Sequence, residues 1–171
     1  MQNQVKTKLY QLCMGELTAV ASFAFVWVLY LQLFEWTEPY LTSFSSLFAF
    51  GLLEFILLQG SYYWYVKWRQ LQQGSYNYLP VRQLRLFAFF HKLNILLIGI
   101  GFFIMIHQFK EAAVGAYWCL FVYGFAMIEY INYYHIRLSY QTKEELKRFL
   151  RQKKLRKSKL AAELQAYKGL R

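Results

Sequence analysis

Residues 86–106 read LFAFFHKLNILLIGIGFFIMI, and this stretch indicates the solvent in which the chain folds. It holds 21 residues, and the only formal charge among them is at Lys92. A helix of about 20 apolar residues spans the ~30 Å hydrocarbon core of a bilayer. We therefore interpret residues 86–106 as a transmembrane helix.

Three further stretches have a similar length and apolar character: residues 11–33, 44–66 and 112–134. The whole chain is 57% hydrophobic and 21% aromatic, which leaves too little polar surface for a soluble domain of 171 residues. We predict an all-α, polytopic membrane protein. Residues 1–138 form four transmembrane helices in an antiparallel bundle, and residues 139–171 form a basic cytoplasmic tail with an amphipathic C-terminal helix.

The distribution of basic residues predicts the orientation of the spans. Eighteen of the twenty Lys and Arg lie in the amino-terminal segment, in the connection between the second and third spans, or after the fourth span. Short cytoplasmic loops are enriched in Lys and Arg, so these three segments are predicted to be cytoplasmic. An even number of crossings agrees with this, because it places both termini on one side. We predict a multi-pass protein of the plasma membrane with cytoplasmic amino and carboxyl termini.

Several polar side chains fall inside the predicted spans, where burying them is costly. Glu54 lies near the middle of the second span. With a rise of ~1.5 Å per residue, polar residues of the other three spans share a level about 6–9 Å closer to the cytoplasm. We predict a buried polar network, or a ligand or ion site, made of these residues and of polar residues at the end of the fourth span: Glu16, Glu54, His91, Lys92, Asn94, Glu129, Asn132, His135 and Arg137.

Three interpretations of this set stay open. In the first, the network is structural and Lys92 neutralises Glu54 or Glu129. In the second, the residues line a polar cavity that opens to the cytoplasm and binds a headgroup, a proton or a cation. A metal site built from Glu16, His91 and Glu129 is the least favoured, because these residues lack a typical ligand spacing. No metal, cofactor or catalytic residue is assigned.

The carboxyl-terminal tail carries a helix start signal and a basic cluster. Thr142 and Glu145 form a capping box, which predicts a helix from there to about Tyr167. Basic residues of this kind bind anionic lipids of the inner leaflet, and a partner protein is the alternative. Nucleic acid is disfavoured because interleaved aromatic residues are missing. The predicted contact residues are Lys147, Arg148, Arg151, Lys153, Lys154, Arg156, Lys157 and Lys159.

No catalytic motif accompanies these features, so the function is inferred only from the predicted class, a small polytopic membrane protein. The leading hypothesis is a non-enzymatic accessory or scaffold subunit that associates with another membrane protein or with itself. A transport component for ions, protons or a small solute is the second hypothesis. The third is a membrane enzyme that acts on a lipid headgroup at the cytoplasmic leaflet with His91, Glu129 and His135.

Overall fold

The computed structural model describes residues 2–74, 78–111, 113–138 and 156–169. The protein is all-α, with 89% of its residues helical and no strand in the described ranges. The elements are α1 (Gln2–Leu33), a 3₁₀ turn (Glu35–Thr37), α2 (Glu38–Leu41), α3 (Phe44–Gln72), α4 (Val81–Glu111), α5 (Ala113–Tyr134) and α6 (Lys159–Gly169).

Three of the helices in the described ranges are long and apolar enough to cross a membrane. They are Gln4–Leu33, Phe44–Gln72 and Val81–Lys110. The membrane class predicted from composition therefore has support from three helices. The fourth predicted span corresponds to α5, and its crossing of the bilayer stays a prediction.

Helix α3 is the central element of the bundle. It packs against α1, α4 and α5, and α4 also packs against α5. Two of its side chains, Ile56 and Tyr63, are almost fully buried, and Phe87 of α4 is equally buried. In contrast, the helices differ in how much of their apolar 18-residue stretch is buried: 11% in α1 and 17% in α4, compared with 56% in α3. The protein therefore leaves long apolar faces of α1 and α4 on its surface.

The connections follow local turn chemistry. The Ser43 hydroxyl accepts a hydrogen bond from the Ser46 backbone N–H at 3.3 Å and caps α3. After α3 the chain turns at Gly74, whose φ of 77° favours glycine. Pro80 directly precedes α4, where its missing N–H removes no helical hydrogen bond.

The helices extend past the predicted spans on the basic side. The four basic residues assigned to the connection between the second and third spans lie inside helices: Lys67 and Arg69 in α3, Arg82 and Arg85 in α4. Lys and Arg are good helix formers, so nothing in this sequence stops the helix where its apolar part ends.

The carboxyl-terminal helix is shorter than predicted and packs on the bundle. Residues 156–158 pair with residues 135–137, which directly follow α5, as an isolated bridge in which Arg137 N donates to Arg156 O at 2.9 Å. A helix running continuously from Thr142 to Tyr167 is therefore not formed, because α6 begins only at Lys159. The Ser158 hydroxyl caps α6 by accepting from Ala161 N at 3.0 Å. The predicted helix start at Thr142 lies outside the described residues.

Candidate functional site

A buried amide pair joins α3 to α4. Asn94 Nδ2 donates to Gln59 Oε1 at 2.8 Å, and Gln59 Nε2 donates back to Asn94 Oδ1 at 3.2 Å. The Tyr134 hydroxyl of α5 donates to the same Gln59 oxygen at 2.6 Å. A buried amide without partners is costly, so these bonds hold three helices in one register. Of the three residues, Asn94 belongs to the predicted network, whereas Gln59 and Tyr134 do not.

The two histidines of the predicted network meet at one tyrosine. The Tyr130 hydroxyl lies 3.1 Å from His91 Nδ1 and 3.3 Å from His135 Nε2. The His91 ring also stacks on Tyr134, with ring centroids 5.2 Å apart. A hydroxyl can donate to one imidazole and accept from the other, so the three side chains form a hydrogen-bonded chain from α4 to the end of α5.

Glu129 and Asn132 organise the carboxyl end of α5. Asn132 Nδ2 donates to Glu129 Oε2 at 3.2 Å, and Asn132 Oδ1 accepts from the Leu138 backbone N–H at 2.9 Å. The second bond holds the chain that leaves the helix. Asn132 therefore bonds both to Glu129 within α5 and to the chain that follows the helix.

Glu54 and Lys92 do not meet. Both carboxylate oxygens of Glu54 are buried without a hydrogen-bond partner among the described residues. Lys92 is exposed, and in the described ranges it forms no ion pair with Glu54 or Glu129. Helical phase explains this: Asn94 faces the interior with 0% exposure, and a residue two positions away lies about 200° around the helix. The charge neutralisation considered from sequence is thus not formed.

A buried ion pair occurs elsewhere, between α3 and α6. Lys67 Nζ lies 2.5 Å from Glu163 Oε1, and the two residues are only 4% and 8% exposed. Glu163 also accepts from the Leu79 backbone N–H at 3.2 Å and from the Tyr63 hydroxyl at 3.3 Å. The predicted site omits both partners. The sequence signal for this pair was Glu163, an acid that lies between Leu160 and Leu164 in the carboxyl-terminal helix.

A cleft of about 430 Å³ opens between α1, α3, the end of α5 and the start of α6. Glu16, Asn132 and Arg137 of the predicted site line it, and so does Lys159 of the tail. His91, Glu129 and His135, which the enzyme hypothesis combines, are not among its lining residues. Further lining residues, which the sequence did not single out, are Val5, Lys8, Leu9, Leu12, Tyr63, Trp64, Tyr133, Ser158 and Leu160.

The basic tail residues are only partly described. Arg156 and Lys157 are exposed, and Lys157 Nζ donates to Gln165 Oε1 at 2.7 Å. The Lys159 ammonium lies 5.9 Å from the centroid of the Trp64 ring, a cation–π distance. The remaining predicted contact residues lie outside the described residues: Lys147, Arg148, Arg151, Lys153 and Lys154.

The geometry offers no support for the metal alternative. Across residues 2–74, 78–111, 113–138 and 156–169, no group of three or more His, Cys, Asp or Glu could hold a metal ion. Glu16 lines the cleft, whereas the His91 ring packs against Tyr130 and Tyr134. Cys13 and Cys119 are both buried free thiols on different helices.

Known proteins give no guide to this arrangement. No protein-family model, no curated protein and no solved structure matches the chain. Its chemistry must therefore be argued from the residues themselves. They offer an internal hydrogen-bonded network, the buried Glu54 carboxylate with no hydrogen-bond partner in the described ranges, and a cleft that combines cations with apolar walls.

Proposed function

We propose that this protein is a small integral membrane protein that acts as a non-enzymatic accessory or scaffold subunit of a membrane assembly. In this proposal α1, α3, α4 and α5 cross the plasma membrane and both termini are cytoplasmic. The partner is another membrane protein or a second copy of the chain, and anionic lipids of the inner leaflet contact the basic tail.

The observation that carries the proposal is the exposure of apolar faces on α1 and α4. Phe25 on α1 is 66% exposed and Phe103 on α4 is 72% exposed, and many aliphatic neighbours are also exposed. Apolar area of this extent is found on surfaces that lipid or another protein covers. Two separate faces leave room for lipid on one and a partner helix on the other.

The interior polar groups support a structural role for the network. Gln59, Asn94 and Tyr134 bond to one another, as do His91, Tyr130 and His135. Helices in lipid have no hydrophobic drive to associate, so hydrogen bonds and close packing hold them together. A network satisfied in this way specifies one packing of α3, α4 and α5 and so presents α1 and α4 in a defined geometry.

Gentle extraction from the native membrane, followed by mass spectrometry of the intact complex, tests the proposal. We expect a stoichiometric complex with another membrane protein or a defined homo-oligomer. Paired polar substitutions on the exposed face of α4, such as I95Q with F103Q, should dissociate it, whereas L93Q on another face should not. Recovery of a monomer with lipid alone would contradict the scaffold role.

A transport component is the second candidate, and Glu54 is the observation that favours it. Its carboxylate is buried without a hydrogen-bond partner among the described residues, near the middle of the predicted second span, residues 44–66. Intramembrane carboxylates of this kind mark proton and ion pathways in many membrane proteins. Purified protein in vesicles should then conduct protons or a small cation, and E54Q should abolish the flux. Equal flux with E54Q would remove this candidate.

A further inference from the structure

The cleft between α1, α3, the end of α5 and the start of α6 carries an inference beyond the scaffold role. We propose that it binds the phosphate-bearing headgroup of an anionic phospholipid. The inference rests on the membrane location within the proposed function. In this proposal the specific lipid contact is made by the cleft and not by the basic cluster of the carboxyl-terminal tail.

Three cations reach the cleft from three distant parts of the chain. Lys8 comes from α1, Arg137 follows α5, and Lys159 begins α6. Among the described residues that line the cleft, Glu16 is the acidic one, so positive charges outnumber negative ones in this set. The Lys159 ammonium lies 5.9 Å from the centroid of the Trp64 ring, which also lines the cleft. Such a grouping of charges suits a phosphate, which Arg and Lys both bind well.

The rest of the lining suits the part of a lipid next to its phosphate. Leu9, Leu12 and Leu160 supply apolar wall, and Trp64 and Tyr63 add aromatic rings. Tyr and Trp belong to the interface level of a bilayer, where an apolar ring and a polar edge are both solvated. A soluble anion would gain nothing from these walls, whereas a glycerol backbone and the start of an acyl chain would be buried against them.

The vertical order of the groups also matches a phospholipid. Lys8 and Glu16 are eight residues apart on α1, so about 12 Å of helix separates the cationic level from the carboxylate. The cations lie toward the side of the chain termini, and the leucines of α1 lie between the two levels. A lipid of the same leaflet places its phosphate outward and its chains inward, in the same order.

The charge test compares two variants with the same change in net charge. K8Q/R137Q/K159Q removes the cations of the cleft, and R69Q/R82Q/R85Q removes three exposed bases of the same predicted side that do not line it. Native mass spectrometry with added phosphatidylglycerol or phosphatidylcholine gives the affinities. We expect at least about tenfold weaker phosphatidylglycerol binding in the first variant and less than about threefold in the second, because only the first variant removes charges that line the cleft. Equal losses would overturn the site.

A second variant keeps the charge and fills the space. L12W places an indole in the cleft and should displace phosphatidylglycerol while leaving all three cations in place. If L12W binds phosphatidylglycerol as the parent protein does, the cleft is not the binding site. Unchanged thermal unfolding of each variant in detergent shows that lost binding is not lost folding.

Two further arms separate the possible outcomes. Glycerol 3-phosphate is a soluble phosphate ester that contains glycerol and phosphate but no acyl chain, and we expect no competition at concentrations up to about 1 mM because it lacks the apolar part. Competition at micromolar concentrations would overturn the assignment to a lipid and indicate a soluble phosphate ester. Failure of the membrane location itself would be seen separately, as protein released from membranes by alkaline carbonate.

Discussion

Gly60 is a position where α3 has no room for a side chain. A Cβ atom built there would overlap the ring of Tyr133 from α5, and Tyr133 is itself only 6% exposed. Small residues at contacts between membrane helices allow this kind of close approach. The single missing carbon of Gly60 thus sets the distance between the two helices at the level of the cleft.

The substitution G60A should destabilise the bundle. We expect a loss of about 1–3 kcal/mol from overpacking, which outweighs the ~1 kcal/mol that alanine gains in helix propensity. G51A is the matched control, because it lies in the same helix and a Cβ there meets nothing within 4 Å. Thermal unfolding in detergent measures both. A G60A protein as stable as G51A would show that Tyr133 moves aside freely.

The buried amide pair predicts coupled substitutions. N94L leaves the Gln59 amide without one partner, which should cost about 1–2 kcal/mol of unfolding free energy. In Q59L/N94L both amides are gone, so its loss should be smaller than the sum of the two single losses by about 0.5–2 kcal/mol. A double-mutant cycle on equilibrium unfolding gives this coupling. Strict additivity would mean that the amides do not depend on each other.

At the scale of elements, α6 packs on the bundle through two buried leucines and one buried acid. Leu160 and Leu164 are buried in the hydrophobic core, and Glu163 between them reaches Lys67 and the Leu79 backbone. The chain before α4, the end of α3 and α6 therefore meet at one carboxylate. A buried charge is stable only with its partner, so this contact fixes where α6 packs.

Removing one charge of this pair should release α6. E163Q keeps an acceptor for Leu79 but removes the carboxylate charge that lies 2.5 Å from the Lys67 ammonium, at a cost of about 3–5 kcal/mol. Hydrogen exchange in α6 should then become fast, while K67M/E163Q should restore slow exchange because no charge is left. Q165A, on the exposed face of α6, is the control and should leave exchange unchanged. Fast exchange in both E163Q and K67M/E163Q would mean that the packing of the native side chains, and not the compensation of charge, holds α6 in place.

For the whole molecule, the proposed topology places the turn at residues 34–43 outside the cell and the turn at residues 73–80 inside. In a C13A/C119A background, E38C should react with a membrane-impermeant maleimide added to intact cells. Q73C should react only after the membrane is opened. Both positions are exposed, so accessibility to solvent within the fold is matched. The reverse labelling pattern would contradict the predicted orientation.

The helices could be predicted from sequence because their signal is local. Length and apolar content identify α1, α3 and α4 without knowledge of any neighbour, and three helices with this character are found. The ends of the helices were less predictable. Lys67 and Arg85 were assigned to a connection, yet helix propensity carries both helices past the apolar segment.

The partners of the polar residues could not be predicted in the same way. Sequence periodicity shows which face of a helix points into the bundle only when polar residues are concentrated on one side. Helix α4 is apolar on nearly all sides, so its inward face could not be predicted. Lys92 was therefore assigned to the buried network, whereas the structure leaves this residue exposed. The hydrogen bond between His91 and Tyr130 joins residues that are 39 positions apart, and the sequence around either residue does not predict the other as its partner.

By itself, the sequence determined that this chain is helical and apolar enough for a membrane, because both properties are summed over consecutive residues. Only the tertiary structure decided which polar groups meet: Asn94 with Gln59, Lys67 with Glu163, and three distant cations around one cleft. The physical reason is that such contacts depend on the rotation and spacing of packed helices. Those quantities are settled by steric fit at positions such as Gly60, not by any one segment of the chain.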